Sequence, residues 1–228
     1  NLLFALSLLV IALYLSDTLK LSALPTLLLV TTLFRVALGV ATTRAILSKG
    51  EAGHAVEAFG SLVMQGSVIV GLVVFSIITL VQFLVIAKGA ERVAEVSARF
   101  SLDAMPGRQM SIDADVRTGM LDPDTARKKR LELQTESRFY GALDGAMKFI
   151  KGDAIAGIVI VIVNIIGGLA VGILRDGLPI ELAVQKFTLL SVGEGLISQI
   201  PALLNALAAG LVVTRVSRED GSSLADEL

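Results

Sequence analysis

Two long apolar runs without a single charged residue constrain the fold of this chain more than any other feature. The first covers residues 66–87 and the second covers residues 154–174. In an α-helix, about 20 apolar residues rising 1.5 Å each cross the hydrocarbon core of a bilayer. Neither run alternates polar and apolar residues as a barrel strand does. Both runs therefore predict transmembrane helices.

Three further apolar segments complete the predicted membrane domain. Residues 2–15 are too short to span and are interpreted as the end of a truncated helix, so the chain is expected to be a fragment. Residues 25–47 begin with a proline suited to a first helical turn, and residues 187–213 carry several polar interruptions. We predict an all-α fold, a polytopic helical membrane domain with a small helical cytoplasmic insert. Its parts are transmembrane segments in 1–87, the insert in 88–151, two transmembrane segments in 152–214, and the start of a cytoplasmic or inter-helix tail in 215–228.

The charges indicate which side of the membrane the insert occupies. Hydrophobic residues make up 54% of the chain and charged residues only 18%, yet 12 of the 20 lysines and arginines lie between Lys88 and Lys151. Because positive residues next to membrane segments favour the cytoplasm, the insert and Arg215–Leu228 are predicted to be cytoplasmic. The absence of cysteine excludes disulfides and thiolate metal sites.

The insert is predicted to contain two helices. Val93, Val96 and Phe100 recur at helical spacing, so the third apolar segment is expected to continue beyond the membrane until Pro106-Gly107 breaks it. Asp122 followed by Pro123 predicts the start of a second helix, which is expected to end near Gly141. The basic run at 127–130 is compatible with contact to anionic lipid headgroups and equally with a solvated helix face.

Arg35 and Arg44 lie within or near the end of the second apolar segment. An arginine inside an apolar span costs several kcal/mol unless it faces a partner or water. Arg35 therefore indicates either a structural ion pair between helices or a polar pathway, and the pathway is the favoured interpretation. Arg44 is close enough to the segment end to extend its charge into the interface.

Two carboxylates lie in or beside the last two apolar segments. Glu194 stands between two glycines that permit an irregular or closely packed backbone, which suggests a pathway lined by a broken or re-entrant helix, or a glutamate at the interface. Asp153 follows Lys148 and Lys151 at the start of its segment. It is compatible with proton binding. Compensation of a helix dipole at an N-terminus is the simpler interpretation of these residues alone.

No residue pattern predicts catalysis. Asp113 and Asp115 lack the glycine and distal glutamate of a calcium loop, and His54 is a lone histidine in a short loop. No phosphate-binding or dinucleotide motif is present. We therefore expect no enzyme activity, no catalytic residues, no metal site, no cofactor and no nucleic-acid partner. Any work would be powered by another protein or by an ion gradient.

The insert segment RVAEVSARFSLDAMPGRQMSIDAD closely resembles the signature of the FHIPEP family, the export gates of type III secretion shared by flagella and injectisomes. The blocks LFRVALGVATTR, ITLVQFLVIAKGAERVAEV, YGALDGAMKFIKGDAIAG and LISQIPALLNALAAGLVVTRVS extend the resemblance over nearly the whole chain. The phrases VSARFSLDAMPG and DGAMKF are more similar to the injectisome branch than to the flagellar one.

This resemblance implies a multi-pass protein of the bacterial inner membrane with eight transmembrane helices and a large cytoplasmic C-terminal domain. On that template the chain holds the second to sixth helices. The resemblance also implies a homo-oligomeric ring, typically a nonamer, around the core export-gate membrane proteins. A secretion ATPase complex, secreted substrates and their chaperones would be partners through the cytoplasmic domain, and lipid would surround the ring.

The activity that the resemblance implies is coupling of proton-motive force to the export of unfolded proteins. A structural ring scaffold without its own proton path is the alternative. By motif, the positions linked to export or proton use are Arg44, Lys148, Asp153 and Glu194 in the membrane blocks, with Arg35 added from the residues themselves, and Arg92, Arg99 and Asp103 in the insert. The chain departs from flagellar members at Gly39, where an asparagine is common.

Overall fold

The computed structural model describes residues 1–14 and 21–214, and within these ranges the chain is 90% helical with no strand. This confirms the predicted all-α class. The helices are α1 (Leu2–Tyr14), α2 (Leu24–Lys49), α3 (His54–Met64), α4 (Val68–Val81), α5 (Lys88–Arg117), α6 (Pro123–Leu174) and α7 (Ile180–Thr214). A π-helical stretch, Gln82–Ala87, joins α4 to α5 without a loop. The predicted tail at 215–228 lies outside the described residues.

Among the described residues, four helices are long and apolar enough to cross a membrane. They are α2, α6, α7 and the continuous helix that α4 and α5 form together. Helices α6 and α7 form the centre of the bundle, and α2 packs against both. One apolar cluster, which includes Leu28, Leu143 and Val212, lies at the hairpin end of the bundle, where α5 and α6 leave it. A second cluster around Phe187 lies at the far end, where α2 ends and α7 begins.

The insert is a long antiparallel hairpin of α5 and α6, and two predicted helix ends in it are wrong. Pro106 lies inside α5. Pro106 and Leu102, the residue whose carbonyl loses its hydrogen bond, are both exposed, so the loss does not fall in the apolar core. The second helix does not end near Gly141, because α6 continues to Leu174. Buried Phe139, Leu143 and Met147 hold this part of α6 against its neighbours, which outweighs the helix penalty of about 1 kcal/mol for each glycine.

Ion pairs at three levels fix the register of the hairpin. Lys151 pairs with Glu91 at 2.9 Å near the bundle, Arg108 pairs with Glu136 at 2.9 Å further out, and Arg130 pairs with Asp113 close to the tip. Each exposed pair contributes little stability, about 1 kcal/mol or less, but together they align the two helices. The basic run at 127–130 lies about 35 Å along α6 from Asp153, because each residue rises 1.5 Å. That distance favours the solvated face over contact with lipid headgroups.

The first turn of α6 depends on Asp122. The carboxylate of Asp122 accepts hydrogen bonds from the side chain and the backbone amide of Thr125, and these are the largest causes that lower the pKa of Asp122. The amide donates at 2.9 Å. A carboxyl group whose pKa is lower in the folded than in the unfolded protein stabilises the fold fully at a pH above its pKa in the unfolded protein. This stabilisation is lost as the pH falls through the pKa of the group in the folded protein. We expect acidification below that range to fray residues 123–126 before the rest of α6.

Hydrogen exchange of these amides measures the effect. Asp122→Ala should lower the protection of these amides above that pH range and match the wild type below it. Asp122→Asn should keep the cap and make the protection, corrected for the intrinsic exchange rate, independent of pH, since asparagine caps without titrating. Equal pH dependence in wild type and Asp122→Asn would contradict this role.

Helix α3 was not predicted from the sequence. His54 is the first residue of this helix, so its predicted position in a short loop is wrong. Two glycines bring α3 against α7. A Cβ on Gly60 would lie 2.3 Å from the carbonyl oxygen of Leu189, and one on Gly193 would lie 2.0 Å from that of Val56. Gly193, one of the two glycines beside Glu194, therefore serves the close packing of α3 on α7, which is common where membrane helices meet through small residues.

Helix α7 is continuous from Ile180 to Thr214, so the predicted broken or re-entrant form of this segment is wrong. Pro201 lies inside the helix and removes one backbone hydrogen bond. In the turn before it, the carbonyl of Ser198 accepts from Arg35 and that of Gln199 accepts from Gln82. Side chains from neighbouring helices thus bind carbonyls of the weakened turn, as a proline in a membrane helix requires.

Candidate functional site

A buried ion pair joins α2 to α6. Arg35 pairs with Asp153, and both side chains are buried. Arg35 also donates from Nη1 to the carbonyl oxygen of Ser198 on α7, at 3.1 Å. One guanidinium therefore connects three helices. Because an unpaired charge in such surroundings is strongly unfavourable, each partner requires the other.

Glu194 on α7 is the second carboxylate at this site. It is 6% exposed and lies within the electrostatic field of Arg35. Its Oε1 lies 3.5 Å from the position that a Cβ on Gly39 would occupy, so the carboxylate packs against α2. The cluster of Arg35, Asp153 and Glu194 has two acids and one base. When both acids are ionised it carries one uncompensated negative charge, which a single proton can neutralise.

A cavity of about 40 Å³ adjoins all three charged side chains. A space above roughly 10–15 Å³ with polar partners can hold water, so this cavity has room for it. Gly157 and Val161 of α6 and Phe75 of α4 are among its other lining residues. The cluster thus borders a cavity with room for a small polar molecule.

A second set of polar side chains forms the wall toward α4. Gln199 donates to the hydroxyl of Thr79 at 2.7 Å, and Gln82 donates to the carbonyl of Gln199 at 3.1 Å. Gln82 is the first residue of the π-helical stretch, a geometry often found at functional sites. The sequence analysis missed Thr79 and Gln82. The available signal was a glutamine, the only amide side chain in the charge-free run 66–87.

Asp153 does not compensate a helix dipole, and that preferred interpretation is wrong. Helix α6 begins at Pro123, far from Asp153, so no helix N-terminus is present there. The nearby lysines are not its partners either, because Lys151 pairs with Glu91 and Lys148 pairs with Asp144 at 2.7 Å. The hydrogen bond to Asp144 raises the pKa of Lys148. Asp153 is instead bound by Arg35.

The other predicted pathway residues lie outside the cavity. Arg44 is exposed on α2, and the Lys148 side chain is 57% exposed. The structure therefore brings together three of the five, Arg35, Asp153 and Glu194, and does not bring in Arg44 or Lys148.

The three residues assigned to cytoplasmic coupling lie on the exposed face of α5. Arg92 pairs with Glu95 at 2.8 Å, and Arg99 lies 3.7 Å from Asp103. All of these are local pairs within one helix, and exposed pairs of this kind are weak. No group of three or more metal-binding side chains occurs in the part of the chain that the structure describes.

Long apolar helices around a buried charged cluster define a helical membrane protein with an ionisable site in its interior. The model of the FHIPEP family matches residues 1–228, and the chain belongs to this family. The resemblance found in the sequence is thereby confirmed.

The curated relatives include secretion proteins of the injectisome type. Low calcium response locus protein D of Yersinia pestis is 56% identical over 228 residues, which is 100% of this chain and 32% of that protein. Secretion system apparatus protein SsaV of Salmonella typhimurium (strain LT2) is 58% identical, over 100% of this chain and 34% of its own length. Hypersensitivity response secretion protein HrcV of Ralstonia nicotianae is 54% identical, over 96% of this chain and 32% of its own length. The chain thus spans about a third of the length of these relatives. No solved structure matches it.

Proposed function

We propose that this chain is part of the membrane domain of an inner-membrane export gate for type III secretion, and that it couples proton-motive force to the export of unfolded proteins. The observation that carries the proposal is the buried cluster of Arg35, Asp153 and Glu194. With one more acid than base and a cavity beside it, the cluster can take up and release a single proton. Intramembrane ionisable residues of this kind are typical of proton relays.

The hairpin is the element through which a change at the cluster would act. Both of its helices continue into the walls of the cavity, α6 through Asp153 and α5 through the π-helical stretch that contains Gln82. Neither connection contains a loop that would absorb a displacement. Protonation in the cluster would therefore shift the rigid helices that extend into the cytoplasm, where Arg92, Arg99 and Asp103 would transmit the change.

The family and the secretion proteins among its relatives support the remaining parts of the proposal. The full protein would form a homo-oligomeric ring, a nonamer, around the core export-gate proteins. Its cytoplasmic domain, in the part of the relatives that this chain does not cover, would bind the secretion ATPase complex, the substrates and their chaperones.

Glu194→Gln tests the proton role of the cluster. Glutamine keeps the size of the side chain but cannot take up a proton, so we expect secretion to fall by about tenfold or more, the effect of losing one interaction of a charged group. Glu194→Asp keeps the carboxylate and should retain most of the secretion. The amount of secreted substrate is measured in bacteria that carry the full-length variants at equal membrane levels. Equal secretion by the Gln and Asp variants would contradict the role of Glu194.

A further inference from the structure

Among the described residues, Asn164 is the one with two buried side-chain polar atoms that lack a hydrogen-bond partner. It is 0% exposed, and neither its Nδ2 nor its Oδ1 has a hydrogen-bond partner among the described residues. Almost all buried polar groups in proteins are hydrogen-bonded, so an amide with both ends unpartnered requires an explanation. Asn164 is also the only polar side chain within the apolar run 154–174.

A contact one turn before Asn164 defines its position relative to the charged cluster. Val161, which lines the cavity, packs against Gly195, where a Cβ would lie 2.9 Å from Val161 Cγ2. Three residues later, Asn164 follows on the same face of α6, because residues three apart are neighbours on a helix surface. Asn164 thus lies about 4.5 Å further along the bundle axis than Val161, toward the far end. Because α7 runs antiparallel to α6, Glu194 lies one residue further in that direction than Gly195, and the axial offset between Asn164 and Glu194 is about 3 Å.

A second unpartnered group lies on α2 at the same level. A Cβ on Gly39 of α2 would lie 3.8 Å from Cδ1 of Ile160 on α6. Two turns further along, a Cβ on Gly167 of α6 would lie 3.3 Å from Cδ2 of Leu47 on α2. Thr43 is midway between the two α2 contacts, just as Asn164 is midway between the two α6 contacts. The buried Oγ1 of Thr43 also has no hydrogen-bond partner in the described part of the chain.

The burial of Asn164 decides what can satisfy it. A side chain that is 0% exposed does not meet lipid or a second protein, so its partner must be small enough to enter the bundle. The amide offers both donors and acceptors and no charge, which suits water better than an ion. Two hydrogen bonds of about 2.8 Å each through one water reach up to about 5.6 Å, which is more than the axial offset of about 3 Å between Asn164 and Glu194.

We propose that Asn164, with Thr43, holds water beside Glu194 and so extends the polar cavity toward the far end of the bundle. Asn164 is a positioning residue in this scheme, and the inference rests on the proposed proton role of Glu194. A hydronium that reaches this position gives its extra proton to the Glu194 carboxylate and remains as water. The side chains of Asn164 and Thr43 hold that water but do not themselves change protonation.

Asn164→Leu tests the proposal in the full-length protein, because leucine has the same branched arrangement of side-chain heavy atoms as asparagine and no polar atom. We expect secretion to fall about tenfold while the membrane level of the protein stays unchanged. A tenfold loss corresponds to losing the hydrogen bond by which Asn164 holds the water beside Glu194. Asn164→Ser supplies a hydroxyl group that can bind water and leaves space for it, so this variant should retain most of the secretion. The matched control is Thr32→Val, since the buried hydroxyl of Thr32 is already bonded to the carbonyl of Leu28 at 2.7 Å.

A spectroscopic measurement separates positioning from packing. In purified full-length protein in nanodiscs, the infrared carboxyl band that Glu194→Gln abolishes should shift in Asn164→Leu and stay in place in Thr32→Val. Wild-type secretion and an unshifted band in Asn164→Leu would overturn the inference while leaving the proton role of Glu194 intact. Equal losses in Asn164→Leu, Asn164→Ser and Thr32→Val would also overturn it, because they would reflect packing alone. Normal secretion by Glu194→Gln would remove the proposed function and the inference with it.

Discussion

Asp153→Asn is expected to reduce secretion by about a hundredfold while the protein still inserts into the membrane and assembles. Asparagine preserves the shape of the side chain and can accept a hydrogen bond from Arg35, but it carries no charge and takes up no proton. Disrupting a buried ion pair costs about 3–5 kcal/mol, and each 1.4 kcal/mol corresponds to a factor of ten. Substrate in the culture medium, membrane level and oligomer size are measured together.

A paired replacement distinguishes a proton role from a structural one. Exchanging both members of a buried ion pair for apolar residues of similar volume is often neutral for stability. The double variant Arg35→Met with Asp153→Leu should therefore assemble at least as well as Asp153→Asn and still fail to secrete. Restored secretion in the double variant would show that the pair is only structural. Failure of every charge variant to assemble would favour the scaffold role for this chain.

Gly193→Ala is expected to separate α3 from α7. The added methyl group would lie 2.0 Å from the carbonyl oxygen of Val56 and 3.0 Å from the backbone nitrogen of Gly60, and neither backbone atom can rotate away. Overpacking of this kind costs about 1–3 kcal/mol or more, and here the helix must move to accommodate it. Thermal unfolding of the full-length protein in detergent should show a lower Tm, and residues of α3 should become accessible to protease.

Gly210→Ala is the matched control on the same helix. A Cβ at Gly210 meets no atom within 4 Å, and alanine favours helix over glycine by about 0.5–1 kcal/mol. This variant should unfold at the same temperature as the wild type or slightly higher. A similar loss of stability in both variants would show that glycine matters in α7 for a reason other than contact with α3.

The sequence predicted the membrane helices well because length and charge-free composition determine them locally. The predicted ends at Pro106 and Gly141 were wrong, since tertiary packing between α5 and α6 overrides local helix-breaking preference. A proline or glycine indicates the cost of continuing a helix but not the contacts that offset this cost. Helix α3 was missed because its packing on α7 depends on a close approach that spacing alone does not reveal.

The candidate site was predicted as a set of residues but not as an arrangement. Arg35, Asp153 and Glu194 stood out because charges in apolar segments are rare. Their grouping depends on α2, α6 and α7 meeting in space, which no local pattern shows. Asn164 gave a signal as the one polar side chain of its run, yet only the structure shows that its amide is buried and unpartnered.

The π-helical stretch at Gln82–Ala87 has a mechanical consequence for the hairpin. A π-bulge holds one residue more than the same length of α-helix, and one residue corresponds to about 100° of rotation and 1.5 Å of translation. If the stretch rewound into α-helix, α5 would turn about its own axis by this angle relative to α4. The charged side chains along α5 would then face different neighbours. The π-helical stretch is therefore a place beside the ionisable cluster at which α5 can rotate relative to α4.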